Sequence, residues 1–164
     1  MHGEVDQSNF PIKKEGDGRS PAGVFNLSSV FGYKPINEMK KLKMPYIHIS
    51  DMTECIDDPN SKYYNEIVSR DEIQTEDSVD WRSSEKMREA GIYYELGVVV
   101  EQNSDPIVKG DGSCIFLHNW KEPNETMSGC TAMSPTNMVE IVNWLDADKN
   151  PIIVQLTKQW YDKL

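Results

Sequence analysis

The sequence predicts a mainly β fold, of the sandwich or barrel-like type, with one well-formed helix near residues 134–147. Three observations predict it. Short apolar–polar alternations recur along the chain, turn-forming residues separate them, and one stretch alone has clear helical periodicity. A length of 164 residues suits one domain, so we expect a single domain over residues 1–164.

Five short segments have the composition of β-strands. A turn-rich loop at 14–23 precedes the first, and Pro151 begins the last stretch. Alternation in the fourth segment places Cys114 and His118 on one face. So many strands beside one good helix favour a sandwich or barrel-like architecture. The predicted strands cover residues 24–27, 45–50, 94–100, 113–118 and 152–156.

The clearest helix signal lies near the carboxyl end. Ser134 is a candidate N-cap, and Pro135 suits the first helical position. Apolar residues then recur at the spacing i, i+3, i+4, i+7, which gives one stripe for a core. The stripe consists of Met138, Ile141, Val142 and Leu145. Weaker patterns predict short helices near 63–68 and 83–90, the second with a serine cap and a glycine stop.

The chain is acidic, and its negative charge is concentrated in one region. The formal net charge is −10, from 27 acidic and 17 basic residues, so we expect no nucleic-acid partner. Residues 51–80 hold ten carboxylates against Lys62 and Arg70. We expect an acidic insertion at about 51–80, most simply a solvated loop region, with an acidic binding surface as the alternative.

The sequence has no feature of a membrane-spanning protein. No apolar run approaches the roughly 20 residues that a transmembrane helix needs. The first residues lack the basic region and apolar stretch of a signal peptide. We therefore expect that, if the protein is exported, its leader is absent from this chain.

Three cysteines, Cys55, Cys114 and Cys130, do not form a disulfide framework, because an odd count leaves at least one free thiol. A Cys55–Cys114 bridge is possible, but nothing in the sequence supports it. Histidines and cysteines lack the paired spacing of zinc sites. We expect neither a metal nor any other cofactor.

Cys130 is the candidate nucleophile. Gly129 before it permits a tight turn that leaves the thiol open, and the N–H groups of both residues could serve an oxyanion. His118 ends a predicted strand twelve residues earlier, and the intervening loop can fold back to bring imidazole to sulfur. An ion pair between them would lower the thiol pKa. A buried inert cysteine and a structural histidine are the alternative.

Several sequence blocks occur in an order that is typical of one enzyme family. They cover residues 15–25, 31–33, 55–59, 64–65, 81–87, 112–120 and 126–133. The last two, GSCIFLHNW and TMSGCTAM, are the most specific. With these blocks the chain resembles the L,D-transpeptidase catalytic domains of the YkuD-like family, in the branch that has a short loop between histidine and cysteine.

The resemblance implies a function in the bacterial cell wall. Cys130 would take an acyl group from a peptidoglycan stem peptide, and His118, oriented by a backbone carbonyl, would be its base. An amine of a second stem would resolve the acyl-enzyme and form a cross-link. Water as acceptor would make the protein an L,D-carboxypeptidase or amide hydrolase, and a catalytically silent wall-binding module is the third alternative. We expect location in the periplasm or cell envelope.

The sequence departs from the commonest family motif around the cysteine. Ser128 stands where a histidine is usual, and residues 131–133 lack the usual basic or amide side chain. We expect Arg82 to bind substrate carboxylates instead, with a salt bridge to the acidic insertion as the alternative. The other expected substrate-binding residues are Ser128, Asn119, Trp120 and Tyr33. For Trp120 and Tyr33, plain packing is the alternative.

Overall fold

A computed structural model describes residues 12–73 and 78–162. Residues 74–77 of the acidic insertion, and both ends of the predicted domain, lie outside the described residues. The fold is mainly β, with two sheets and one helix longer than four residues in the described part, so the predicted fold class is confirmed.

The larger sheet has six strands arranged around one long strand. β1 pairs through its first half with β9, and through its second half with β2 and β6. The register shifts between Leu27 and Val30, where the strand leaves one partner and joins the others. Such an irregularity bends a strand and lets it serve two parts of a sheet. The strands are β1 (Gly23–Gly32), β2 (Tyr46–His48), β6 (Leu96–Val100), β7 (Phe116–Asn119), β8 (Thr131–Met133) and β9 (Ile152–Gln155).

The predicted helix covers the main sheet. α2 (Pro135–Trp144) begins as expected, because Ser134 accepts a hydrogen bond from the Asn137 main-chain N–H at 3.2 Å. Its apolar stripe closes the larger core, in which Met138 and Val142 are buried and Ile141 is partly buried. The core cluster also contains Val30, Val98, Ile115, Leu117 and Leu145.

The acidic insertion and the segment after it form a second sheet. β3 (Thr53–Cys55) lies between β4 (Ile67–Ser69) and β5 (Glu85–Lys86). Glu54 in β3 is 3% exposed, and its carboxylate accepts hydrogen bonds from Arg70, Trp81 and Ser84. A buried carboxylate with three donors is well compensated, so this part of the insertion is folded and not a solvated loop.

Two predicted helices are wrong because this sheet forms. The segment 63–68 turns at Asn65, which has φ 64°, and then enters β4. The segment 83–90 pairs with β3 as β5 and continues as a turn. Besides α2, the described residues form only short helices: α1 (Arg70–Ile73), α3 (Lys158–Tyr161), and three 3₁₀ turns at Ile36–Glu38, Gly91–Tyr94 and Ala147–Lys149.

A disulfide joins the small sheet to the segment that precedes β7. Cys55 in β3 is bonded to Cys114, and both residues are buried. Cys114 has φ 53°, so the chain is not extended there, and the strand predicted at 113–118 begins only at Phe116. The expectation that Cys114 lies on a strand face with His118 is therefore wrong. No helix in the described part of the chain has the length and apolar character to cross a bilayer.

Candidate active site

Parallel pairing of β7 with β8 places the candidate nucleophile and the candidate base at one cavity. His118 pairs with Ala132, and Cys130 lies two residues before Ala132 at the entrance of β8. The main-chain N–H of Phe116 donates to the Cys130 sulfur at 3.3 Å. Residues 120–129 fold back between the two strands. As a result, Cys130 and His118 line the same open cavity of about 490 Å³.

The sulfur of Cys130 is held by the main chain. It accepts from the Phe116 N–H and lies 3.4 Å from the Cys114 carbonyl oxygen, to which its S–H donates. Burial raises the pKa of the Cys130 thiol to about 12; the Glu85 carboxylate acts in the same direction, and the Phe116 N–H opposes both. The thiol is therefore neutral at rest.

His118 is buried and fixed in one orientation. Its side chain is 4% exposed, and Nδ1 lies 2.6 Å from the Asn119 carbonyl oxygen. A carbonyl can only accept, so this contact assigns the proton to Nδ1 and leaves Nε2 as the acceptor. Burial lowers the pKa of His118, while the Asn119 carbonyl and Glu125 raise it in part.

These two pKa shifts disfavour the expected ion pair. Burial destabilises both thiolate and imidazolium, which favours a neutral thiol and a neutral imidazole in the resting cavity. Such a pair suits proton transfer during attack, with imidazole as general base.

Gly129 has little room for a side chain. Its φ is 121°, and a Cβ there would lie 3.1 Å from the Arg19 carbonyl oxygen. The hydroxyl of Ser20 donates to the Cys130 carbonyl oxygen at 3.4 Å. The turn-rich loop at 14–23 thus packs against the nucleophile turn, a contact that its composition did not reveal.

The cavity also has an acidic wall that the sequence did not predict. Glu15, Asp57 and Glu85 line it, with Lys13 beside them. Burial raises the pKa of Glu85 to about 7, the Tyr94 hydroxyl bond opposes the shift, and Asp57 and Glu15 add to it. Glu85 was missed because β5 has only two residues and no visible periodicity.

The predicted substrate-binding residues fall into two groups. Ser128 is exposed and lines the cavity. Asn119 is 2% exposed and donates from Nδ2 to the Ile92 carbonyl oxygen, and the Trp120 N–H donates to the Met133 carbonyl oxygen. Neither Asn119 nor Trp120 is among the residues that line the cavity.

Tyr33 and Arg82 also lie outside the cavity lining. The Tyr33 hydroxyl donates to the Met87 carbonyl oxygen at 2.9 Å, and the Arg88 guanidinium lies 4.0 Å from the Tyr33 ring centroid. Arg82 is exposed, and its main-chain N–H donates to Asp58 at 2.9 Å. These contacts give Tyr33 and the Arg82 main chain structural roles, and substrate binding by the four residues outside the lining stays a prediction.

No three His, Cys, Asp or Glu side chains within residues 12–73 and 78–162 are grouped so that they could hold a metal ion. The chemistry available in the cavity is that of a cysteine and a histidine on neighbouring strands of a mainly β domain. Sequence comparison agrees with this class of fold. The chain belongs to the YkuD family of L,D-transpeptidase catalytic domains, whose profile matches residues 2–154.

Family membership connects the chain to peptidoglycan metabolism, with a peptidoglycan-related substrate. A search of curated proteins and a search of solved structures each found no match to the chain.

Proposed function

We propose that the protein is a peptidoglycan L,D-transpeptidase in which Cys130 is the nucleophile and His118 the general base. The observation that carries this proposal is the parallel pairing of β7 with β8. With this pairing, the Phe116 main-chain N–H donates to the Cys130 sulfur, and the side chains of Cys130 and His118 line one cavity. Family membership supplies the reaction class, and the cavity supplies room for a peptide.

The reaction begins from the neutral pair. Nε2 of His118 takes the thiol proton as the sulfur attacks a carbonyl carbon of a donor stem peptide. In this family the attacked carbonyl is the one after the L-centre of meso-diaminopimelate. The resulting oxyanion accepts hydrogen bonds from main-chain N–H groups of the turn at Gly129 and Cys130. Collapse expels the terminal D-amino acid, whose amine takes the proton from His118, and leaves a thioester on Cys130.

The second half of the reaction repeats the proton transfer. The amine of another stem attacks the thioester, His118 accepts the amine proton, and the same proton passes to the departing sulfur, which leaves as the free thiol. The product is a cross-link. Water in place of the amine would give a carboxypeptidase instead, through the same two residues.

Orientation of the base needs no acidic side chain. The Asn119 carbonyl fixes the His118 tautomer with Nε2 as acceptor, and this contact supports the proposed role. Neutral groups at rest also favour proton transfer in the transition state over a preformed thiolate.

The proposed substrate lies outside the cytoplasmic membrane in bacteria. We therefore also propose that the protein acts in the periplasm or cell envelope. Support for this comes from the family alone, whose members usually act on the cell wall.

Purified peptidoglycan tests the function directly. After incubation with the protein, muropeptides are separated and weighed; we expect cross-linked dimers together with released D-amino acid. Cys130→Ala and His118→Gln should abolish both products. Released D-amino acid without dimers would assign the carboxypeptidase, and binding without any product, unchanged in Cys130→Ala, would assign a wall-binding module.

A further inference from the structure

The main chain of residues 114–116 holds the nucleophile on two sides. The Cys114 carbonyl oxygen accepts from the Cys130 S–H at 3.4 Å, and the Phe116 N–H donates to the same sulfur at 3.3 Å. Phe116 belongs to β7 and is fixed by its pairing with β6. Cys114 lies before the strand, so its position depends on other contacts.

Cys114 has a main-chain conformation that costs energy. Its φ of 53° is unfavourable for a residue with a Cβ, and such a residue keeps it only when its surroundings impose it. Two contacts do so here. The side chain is tied to Cys55 by the disulfide, and the main-chain N–H donates to Oδ1 of Asn65 at 2.9 Å.

Both of these contacts come from the small sheet and its connecting turn. Cys55 is in β3, the middle strand of that sheet. Asn65 lies in the turn before β4, and its Nδ2 donates to the carbonyl oxygens of Gln102 and Asn103 at 3.0 and 2.8 Å. With its amide oxygen and nitrogen both engaged, the Asn65 side chain has one orientation available.

We propose that Asn65 and the Cys55–Cys114 disulfide are positioning residues for Cys130. They fix the Cys114 carbonyl, and this carbonyl directs the sulfur into the cavity. The proposal rests on the proposed function, in which Cys130 is the nucleophile. Neither Asn65 nor Cys55 lines the cavity in which the reaction takes place, so they act through Cys114 alone.

Loss of this positioning has two separable effects. A displacement of the sulfur by about 1 Å can slow its attack by about 100-fold, with little effect on binding. A hydrogen bond donated by the thiol stabilises its neutral form, so loss of the Cys114 contact lowers the thiol pKa. Acylation should therefore become slower while the thiol becomes easier to ionise.

Asn65→Gly tests the side chain without straining the backbone, because glycine tolerates the left-handed φ of 64°. Asn150→Gly is the matched control: Asn150 is exposed, has φ 47°, and follows the 3₁₀ turn at Ala147–Lys149. For each variant, mass spectrometry of the reaction with a carbapenem gives the maximal acylation rate and the half-saturating concentration. Iodoacetamide labelling of Cys130 against pH gives the thiol titration.

We expect Asn65→Gly to lower the maximal acylation rate by about 10- to 100-fold with the half-saturating concentration nearly unchanged. Its labelling curve should move to lower pH, and Asn150→Gly should match the parent in both. Asn65→Asp keeps an acceptor for the Cys114 N–H and should restore part of the rate. All assays are run well below the thermal midpoint of each variant, so unfolding does not mimic the effect.

The double variant Cys55→Ala/Cys114→Ala removes the second contact, the disulfide. It should also show a lower maximal acylation rate with a nearly unchanged half-saturating concentration, and a labelling curve at lower pH. Parent-like acylation and labelling in both Asn65→Gly and the double variant would overturn the proposal. A parent protein that resists the carbapenem would contradict the proposed function instead, and the labelling curves would still decide whether Asn65 positions the sulfur.

Discussion

The ring of Tyr94 packs edge-on against the imidazole of His118, with ring centroids 5.4 Å apart. Tyr93 packs against the same imidazole from a second direction, at 6.0 Å. These two rings cover much of the candidate base, which is 4% exposed. Burial of this kind lowers the pKa of His118, since imidazolium loses its hydration.

The pH profile of acylation should reflect a neutral base. Imidazole accepts a proton only when uncharged, so the rate should rise with pH through the lowered His118 pKa, below its usual value near 6.5. No further rise is expected near pH 8 to 9, because burial raises the thiol pKa to about 12. The measurement is carbapenem acylation rate at subsaturating concentration between pH 4 and 10. A further rise of the acylation rate around pH 8.5, the ordinary pKa of a thiol, would contradict a general-base mechanism.

Glu85→Gln should make Cys130 easier to ionise. The Glu85 carboxylate raises the thiol pKa, and glutamine removes its charge while keeping an acceptor for the Tyr94 hydroxyl. The labelling curve of Cys130 with iodoacetamide should therefore move to lower pH. Glu140→Gln, a change at an exposed position of α2, is the control and should leave the curve in place. An unmoved curve in Glu85→Gln would show that the two groups do not interact.

The same buried carboxyl should make stability depend on pH. A folded-state pKa raised from 4.5 to about 7 means that folding favours the protonated form. Glu85 therefore adds to the free energy of unfolding in full below about pH 4.5, and this contribution is lost as pH rises to about 7. The resulting fall in the free energy of unfolding has an upper limit of about 3 kcal/mol. Urea unfolding across this range should show the parent losing stability relative to Glu85→Gln. Parallel stability curves for the two proteins would rule out the raised pKa.

Gly129→Ala should slow acylation. An added Cβ would lie 3.1 Å from the Arg19 carbonyl oxygen, so Arg19 or the turn that carries Cys130 must shift by a few tenths of an ångström. Gly110→Ala is a matched control, because Gly110 has φ 89° and nothing within 4 Å of an added Cβ. Both variants bear a backbone penalty of about 1–2 kcal/mol. Acylation by the carbapenem should fall at least about tenfold in Gly129→Ala alone, and equal rates in both variants would contradict the role of the turn.

Loss of the disulfide should destabilise the fold. The bridge closes a loop of 59 residues. The loss of chain entropy in the unfolded state predicts a stabilisation of about 4 kcal/mol, and disulfides in proteins typically contribute about 2–4 kcal/mol to the free energy of unfolding. Urea unfolding of Cys55→Ala/Cys114→Ala should show this loss as a lower midpoint. Free energies of unfolding that agree to within about 0.5 kcal/mol between the variant and the parent would mean that the bridge contributes little to stability.

The parts of the fold that the sequence predicts are those with strong local signals. α2 has a serine cap, a proline at its first position and a four-residue apolar stripe, and it forms where these place it. β9 follows Pro151 as predicted. Both Cys130 and His118 line one cavity, in line with the strand end, the loop of suitable length and the glycine before the cysteine that are visible in the sequence; direct contact of imidazole with sulfur stays a prediction.

The parts that the sequence does not predict depend on long-range contacts. β3, β4 and β5 have two or three residues each, too few for alternation to be recognised. Composition makes residues 51–80 look solvated, yet Glu54 is buried because Arg70, Trp81 and Ser84 converge on it from elsewhere in the chain. Disulfide pairing likewise depends on which segments meet in space.

The intact mass of the protein after reaction with a carbapenem tests the central claim most directly. We predict one added molecule, mapped by peptide sequencing to Cys130, absent in Cys130→Ala and formed far more slowly in His118→Gln. A folded protein that keeps the Cys55–Cys114 disulfide and a free Cys130 thiol, yet gains no mass or gains it at any other residue, would contradict the assignment of Cys130 as the nucleophile.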